Sequence, residues 1–304
     1  MDTEIGRVLV ELGLATRKSD GELDYHPEAT NTMVIVVGDN GTFGNSVKLP
    51  FELDRSKGVY QTGVWVPLVV AGPLVNTPDR DVTHMVNIAD LFALFGEIAR
   101  VDVHKAVPKS HTLDSVPLLP YLTNPNQGSL RQSNFTQIAD NITANGERNP
   151  PCVLASTCIT LTPTKQFCEA QGGVWYGPGA DPEHGGPNGV ATCCDVKNQF
   201  VPDLDLLPTA QKATRNDHFK LVQKDVPNCT TGQDDTVTEF YEIDERPFFP
   251  KIDRADNELL QQGPLTPEQQ QNFDALSTEL QAILDSEVQC PGTAIWTRKW
   301  TGRT

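Results

Sequence analysis

The sequence predicts an α/β chain: part of a central sheet with flanking helices, then a small antiparallel sheet and a C-terminal helix. Two observations carry this. Thr32–Val37 and Val64–Val70 are strand-sized apolar runs too continuous for half-exposed strands. Helix-period stripes lie on either side of them, and helix, strand, strand, helix with apolar strands indicates a sheet covered on both faces.

The elements follow in order. Residues 1–15 place Ile5, Val8, Leu9 and Leu12 at i, i+3, i+4 and i+7, a helix ended by Gly13 and the polar run Arg17–Asn31. Thr32–Val37 runs into Gly38-Asp39-Asn40-Gly41, which suits a turn. It equally places two hard oxygen ligands at a strand end, where open α/β sheets hold their sites. Val64–Val70 closes on Ala71-Gly72-Pro73. Asn87 caps the next helix with Asp90 three residues on, and Ile88, Leu91, Phe92, Phe95 and Ile98 form its apolar face. His84, just before it, reads as a surface residue.

Residues 146–198 change character. Cys, Gly and Pro dominate, and "CEAQGGVWYGPG" has neither helical nor strand period. This predicts a small insert held by disulfides. Of the seven cysteines, Cys152, Cys158, Cys168, Cys193 and Cys194 lie in it, so one of the five is free or bonds elsewhere. Cys229 and Cys290 could pair with each other. The alternative, zinc, has only His184 nearby and no paired CxxC spacing. Beyond the insert, His218–Val222 and Thr238–Ile243 alternate as an antiparallel pair with one wet face over residues 205–250. A helix over 262–289 opens at Thr266-Pro267-Glu268-Gln269, with Phe273, Leu276, Leu280, Ile283 and Leu284 as its packing stripe.

The totals exclude some functions. A formal net charge of −16 argues against nucleic acid as a partner, because phosphate readers need a basic face. No apolar run reaches the length of a membrane span. Met1-Asp2-Thr3-Glu4 is acidic where the basic start of a signal peptide belongs. The cysteine density nevertheless suits an oxidising compartment.

"VIVVGDNGTFGN" (34–45) is followed by "SKGVYQTGVWVPLVVAGP" (56–73) and then by the helix "VNIADLFALFGEIA". Together these motifs resemble the sulfatases of the alkaline-phosphatase superfamily. "MDTEIGRVLVEL" and "HTLDSVPLLPYL" resemble flanking segments of the family's catalytic core, and "ATRNDHFKLV" and "TEFYEID" its C-terminal sheet. The resemblance covers roughly residues 1–125 and 205–250 and implies part of an alkaline-phosphatase-like central sheet. It implies that Asp39 and Asn40 are calcium (Ca2+) ligands, hard oxygens of the kind the ion takes. Lys57 matches the family's sulfate-contacting lysine, a compact ammonium suited to an anionic oxygen.

The departures are as informative. The family's nucleophile motif, Cys/Ser-x-Pro-x-Arg, has no match, since Cys290-Pro291-Gly292 has the wrong order. The family's first acidic metal pair and catalytic histidine belong before the first helix. Gln61-Thr62 stands where the family prefers Glu-Gly, and Trp65 where it often has Arg. The expectation is therefore the C-terminal portion of a sulfatase, inactive alone, whose N-terminal part is its missing partner and would carry the export signal. The intact protein would be periplasmic or extracellular and act on a sulfated small molecule or polysaccharide. Half a central sheet would expose an edge strand and an apolar face.

The tail 290–304 fits this picture of a broken reading frame. With one permitted codon choice, "GTAIWTRKWTGRT" shifted by two bases reads DGNLDAEVDGED, which opens on calcium-loop spacing. Two other functions stay open. One is phosphodiester or phosphonate hydrolysis within the same superfamily, because fold alone does not choose substrate. The other is a non-catalytic extracellular binding or accessory protein, with Trp175 and Tyr176 stacking on sugar rings. Those aromatics would otherwise fill the insert's small core.

Overall fold

The structure, a computed structural model, describes residues 2–41, 58–109, 112–139, 141, 147–245 and 250–286. Lys57, Cys290 and the tail lie outside the described residues. Helix α1 (Asp2–Glu11) ends as predicted at Gly13. Gly13 has φ +70°, and the Leu14 and Gly13 amides reach back to the Leu9 and Val10 carbonyls, the bonding of a Schellman cap. The polar run after it is not all loop. It folds as an antiparallel hairpin of β1 (Ala15–Arg17) and β2 (Leu23–Tyr25), followed by the short helix α2 (Pro27–Thr30).

Strand β3 (Val34–Val37) follows, then a helical turn α3 (Gln61–Val64), then β4 (Leu68–Ala71). The second strand therefore starts after Pro67. Residues 61–64, expected in part to extend it, coil instead, and the Trp65 amide bonds the Gln61 carbonyl. β3 and β4 pair antiparallel, with Ile35 opposite Val70 and Val36 opposite Val69. Helix α4 (Asp90–Ile98), the short helix α5 (Val103–Ala106) and α6 (Leu119–Thr123) come next. Ile35, Val37, Leu68 and Val70 pack against Leu91 and Leu94 of α4 and Leu118, Tyr121 and Leu122 around α6.

Two expectations need correction here. Among the described residues the pair is covered on one face only: Val36 and Val69, on the other face, are 39% and 59% exposed. Among the described residues no further strand joins it. The described residues form a mixed α/β architecture and do not show the alkaline-phosphatase-like arrangement that the resemblance implies. The second correction concerns α4. Its Asn87–Asp90 cap forms as expected, the Asp90 carboxylate accepting the Asn87 amide and Asn87 Oδ1 the Ala89 amide. Of the predicted face only Leu91 is buried, while Ile88, Phe92, Phe95 and Ile98 point outward. Buried Asp90 sets this rotation, because it also holds the Val116 amide at 2.7 Å and Arg131 Nε at 2.8 Å.

The insert has its own four-stranded sheet, ordered β8-β6-β7-β9. Its elements are β6 (Cys152–Leu154), β7 (Thr157–Ile159), α7 (Lys165–Ala170), β8 (Val174–Trp175), α8 (Cys193–Gln199) and β9 (Asp205–Leu206). It thus reaches beyond residue 198, and "CEAQGGVWYGPG" supplies part of α7 and all of β8. Disulfides join Cys152 to Cys168, Cys158 to Cys193 and Cys194 to Cys229. The fifth cysteine of the insert therefore bonds elsewhere. Its partner Cys229 is not paired with Cys290. Three disulfides fit an oxidising, extracellular or periplasmic setting, and no described helix is long and apolar enough to cross a membrane.

The C-terminal sheet is ordered β12-β11-β10-β5, all antiparallel, from β5 (Asn134–Ala139), β10 (Ala210–Arg215), β11 (Phe219–Asn228) and β12 (Gln233–Glu242). The short helix α9 (Leu259–Gln262) and the long helix α10 (Pro267–Ser286) complete the described residues. Thr266 and Gln269 cap α10 reciprocally, as the sequence predicts. Leu276 and Leu280 are buried against Phe219, Leu221 and Phe240, with Phe273 and Leu284 beside them. The opposite face, expected to be wet, is covered as well. Val59 and Tyr60 pack there on Ala213, Val222, Tyr241 and Ile243.

Candidate functional site

The turn after β3 is built by glycines in close approach. The Gly38 amide donates to the Pro67 carbonyl at 3.0 Å and the Gly41 amide to the Gly63 carbonyl at 2.7 Å. A Cβ on Gly41 would lie 2.7 Å from Gly63 Cα, and a Cβ on Gly63 would lie 2.9 Å from the Gly58 nitrogen. No side chain fits in either place. The backbone after Asn40 therefore touches α3, and α3 touches Gly58, the residue that follows Lys57. Sequence positions 39–41 and 58–63 become one layer of backbone.

On this layer Asp39 and Asn40 stand exposed at the end of β3. The Asn40 amide donates to Asp39 Oδ1 at 2.9 Å, which tethers the carboxylate to the turn. A carboxylate and an amide carbonyl on adjacent residues are hard oxygen donors that could hold a cation such as calcium, and they would supply two of the six to eight oxygens it takes. Among the described residues, no three His, Cys, Asp or Glu side chains gather as a metal-binding group.

Beneath the layer lies a polar network that sequence reasoning missed. Lys220 and Asp253 are each 1% exposed at the side chain and pair at 2.8 Å. Lys220 Nζ also donates to the Val59 carbonyl and to Gln61 Oε1. Asp253 accepts the Gln61 amide with both oxygens, at 2.9 and 3.0 Å. Gln61 Nε2 donates to Glu245, which also receives Arg215 at 2.6 Å. Beside it, Glu239 accepts the hydroxyls of Tyr60 (2.7 Å) and Tyr241 (2.9 Å) and pairs with Lys224. Burial pushes the Lys220 pKa below the usual lysine value, against the opposing pull of Asp253. Buried charges persist only when paired and hydrogen-bonded, and both conditions are met here.

The network fastens α3 to the C-terminal sheet. Gln61, at the position where the resemblance leads one to expect Glu, bridges Lys220 and Glu245 at the centre of this joint. Trp65 is exposed nearby. His84 is no part of the site: its ring stacks on Tyr121 with centroids 5.8 Å apart. Trp175 and Tyr176 do not offer a sugar-stacking surface either. Both are buried in the insert, and the Trp175 indole donates to the Pro178 carbonyl at 3.1 Å.

Strand alternation hid the missed residues, because it marks Lys220 as facing water. Lys220 stands between Phe219 and Leu221, in a strand whose two faces both pack. Asp253 carried no signal at all, since it lies in irregular chain remote from every motif. No family model, curated protein or solved structure matches the chain.

Proposed function

We propose that the chain is the C-terminal portion of a sulfatase-like hydrolase, contributing part of a calcium site and an anion-contacting lysine to the cleavage of a sulfate ester. The supporting observation is the glycine layer. It brings the backbone next to Asp39 and Asn40 into contact with the backbone next to Lys57, residues the motifs assign to one site. Calcium, when bound, would supply a fixed positive charge toward the sulfate oxygens.

This chain's own part is positional and electrostatic. Asp39 and Asn40 present oxygens outward from a turn held at both ends by backbone bonds. The ammonium of Lys57 would face an anionic oxygen whose charge grows as the ester bond breaks. The nucleophile belongs to the N-terminal part, so the isolated chain does not turn over.

The test joins this chain in frame to the polypeptide encoded upstream and follows hydrolysis of 4-nitrophenyl sulfate. The expected result is calcium-dependent turnover, lowered about 100-fold or more by Lys57→Ala or Asp39→Ala, the scale of losing one electrostatic contact. A sulfatase rate in the isolated chain above that of its Lys57→Ala variant would refute the division of labour. Faster cleavage of bis(4-nitrophenyl) phosphate would shift the reading to the phosphodiester chemistry of the same superfamily.

A further inference from the structure

We infer that the Cys194–Cys229 disulfide is a redox-operated tether: a dithiol reductant opens it selectively, and its opening frees the outer end of the β11–β12 hairpin from the insert while both keep their folds. The inference goes beyond the proposed chemistry and stands whether or not that chemistry is sulfate hydrolysis.

Three observations carry it. First, the disulfides differ in access. Cys152 and Cys168 are both 0% exposed and pack with Trp175 and Ala180. Cys158, the partner of Cys193, is also 0% exposed, in a core with Val153, Tyr176, Val196 and Leu204. Cys194 and Cys229 are both partly exposed. A thiolate must reach a sulfur to open a disulfide, so access orders the rates.

Second, the bonds join different things. Cys152–Cys168 and Cys158–Cys193 close loops inside the insert, whereas Cys194–Cys229 links α8 to the turn between β11 and β12. Third, each side of this link has its own local bonds. Thr192 Oγ1 accepts the Asp195 amide at 3.1 Å and the Asp195 carboxylate accepts the Thr192 amide at 2.9 Å, which caps α8. At the turn, Asn228 Oδ1 accepts the Thr230 and Thr231 amides at 2.9 and 3.2 Å, and the Asn228 carbonyl accepts the Gly232 amide at 2.9 Å. Elsewhere the insert stays anchored to the sheet. Asn141, just past β5, accepts the Thr160 amide at 2.6 Å and donates to the Cys158 carbonyl at 3.3 Å. Opening the disulfide removes the covalent hold at the turn, where the Asn198 amide still donates to the Cys229 carbonyl at 3.3 Å. Release is confined to the outer hairpin, because Gln233 to Val237 are exposed while Lys220, Glu239, Phe240 and Tyr241 at its inner end are buried.

The step balances with the dithiol alone. One of its thiolates attacks a sulfur of the bond, forming a mixed disulfide and releasing the other cysteine as a thiolate that takes up a proton. Its second thiol then displaces the first cysteine. Two electrons and two protons pass to the chain, and the reductant leaves as its own disulfide.

The experiment treats the full native chain with a dithiothreitol series, traps thiols with iodoacetamide, and reads each cysteine by mass spectrometry beside hydrogen–deuterium exchange. Cys194 and Cys229 should become alkylated together, about ten-fold or more faster than Cys152, Cys158, Cys168 and Cys193, as access dictates. Amides from Val226 to Thr236 should then exchange about ten-fold faster or more, as a local opening would allow, with those of Lys220–Val222 and β6 unchanged. Cys194→Ser with Cys229→Ser should show the same exchange pattern without reductant. Reduction of all three disulfides in one phase, or of either insert disulfide first, would overturn the inference. So would selective reduction that leaves exchange at the hairpin turn unchanged.

Discussion

Lys220 ties the C-terminal sheet to the backbone layer that carries Asp39 and Asn40, so the strongest residue-scale predictions concern it. Lys220→Ala leaves Asp253 buried without its ion partner and should cost about 3–5 kcal/mol in urea unfolding, the cost of breaking a buried pair from one side. The pH dependence has a definite sign. Burial lowers the folded pKa of Lys220 from 10.5, so between the two values the unfolded chain binds more protons. Stability from this group therefore improves as pH rises through that window. The stability of the wild-type chain relative to Lys220→Met should rise toward pH 10.5, and a flat or falling difference would contradict the assignment. Gly63→Ala should cost about 1–3 kcal/mol by overpacking against Gly58. At this scale the turn after β3 was legible, because glycines bracketing an acid and an amide are turn chemistry. Lys220 and Glu239 were not, because alternation marks a polar strand residue as facing water. Here the water-facing positions are covered by Val59 and Tyr60, which come from a distant part of the chain.

Among the elements, helix caps were the most legible features and helix faces the least. Thr266 and Gln269, like Asn87 and Asp90, satisfy helix-terminal donors locally, so four residues of sequence suffice to see them. The face of α4 could not be read this way, since Leu91 and Leu94 lie inward while Ile88, Phe92 and Phe95 lie outward. A helix apolar all round belongs between layers. Accordingly, Phe92→Glu combined with Phe95→Glu should leave the stability of the isolated chain within about 0.5 kcal/mol, as surface changes do. A larger loss in thermal unfolding would mean that this face is packed. The insert was legible as a disulfide unit with one cysteine left over, but connectivity needs three dimensions. Cys194→Ser with Cys229→Ser should cost about 3–4 kcal/mol, since the bond closes a separation of 35 residues. The insert's own sheet should survive it, held by the two disulfides within the insert.

For the whole molecule, three features of the described residues belong together under the proposed function. Among the described residues, a two-stranded sheet is apolar on both faces and covered on one. A helix shows aromatic residues to solvent. Asp39 and Asn40 stand exposed on a buttressed turn, and no metal-binding group of three His, Cys, Asp or Glu side chains gathers among the described residues. All three follow if strands, a covering layer and further ligands come from another part of the same protein. The mixed α/β class was legible from the apolar runs and helix periods. The number of strands and layers was not, because a run such as Val34–Val37 reports that its surroundings should be apolar and not which chain provides them. The DNA sequence immediately upstream of the Met1 codon decides whether this chain is part of a sulfatase-like hydrolase. The expected result is an open frame continuous with this one that encodes Cys/Ser-x-Pro-x-Arg and an Asp-Asp pair. A promoter and an in-frame stop codon directly before Met1 would contradict it.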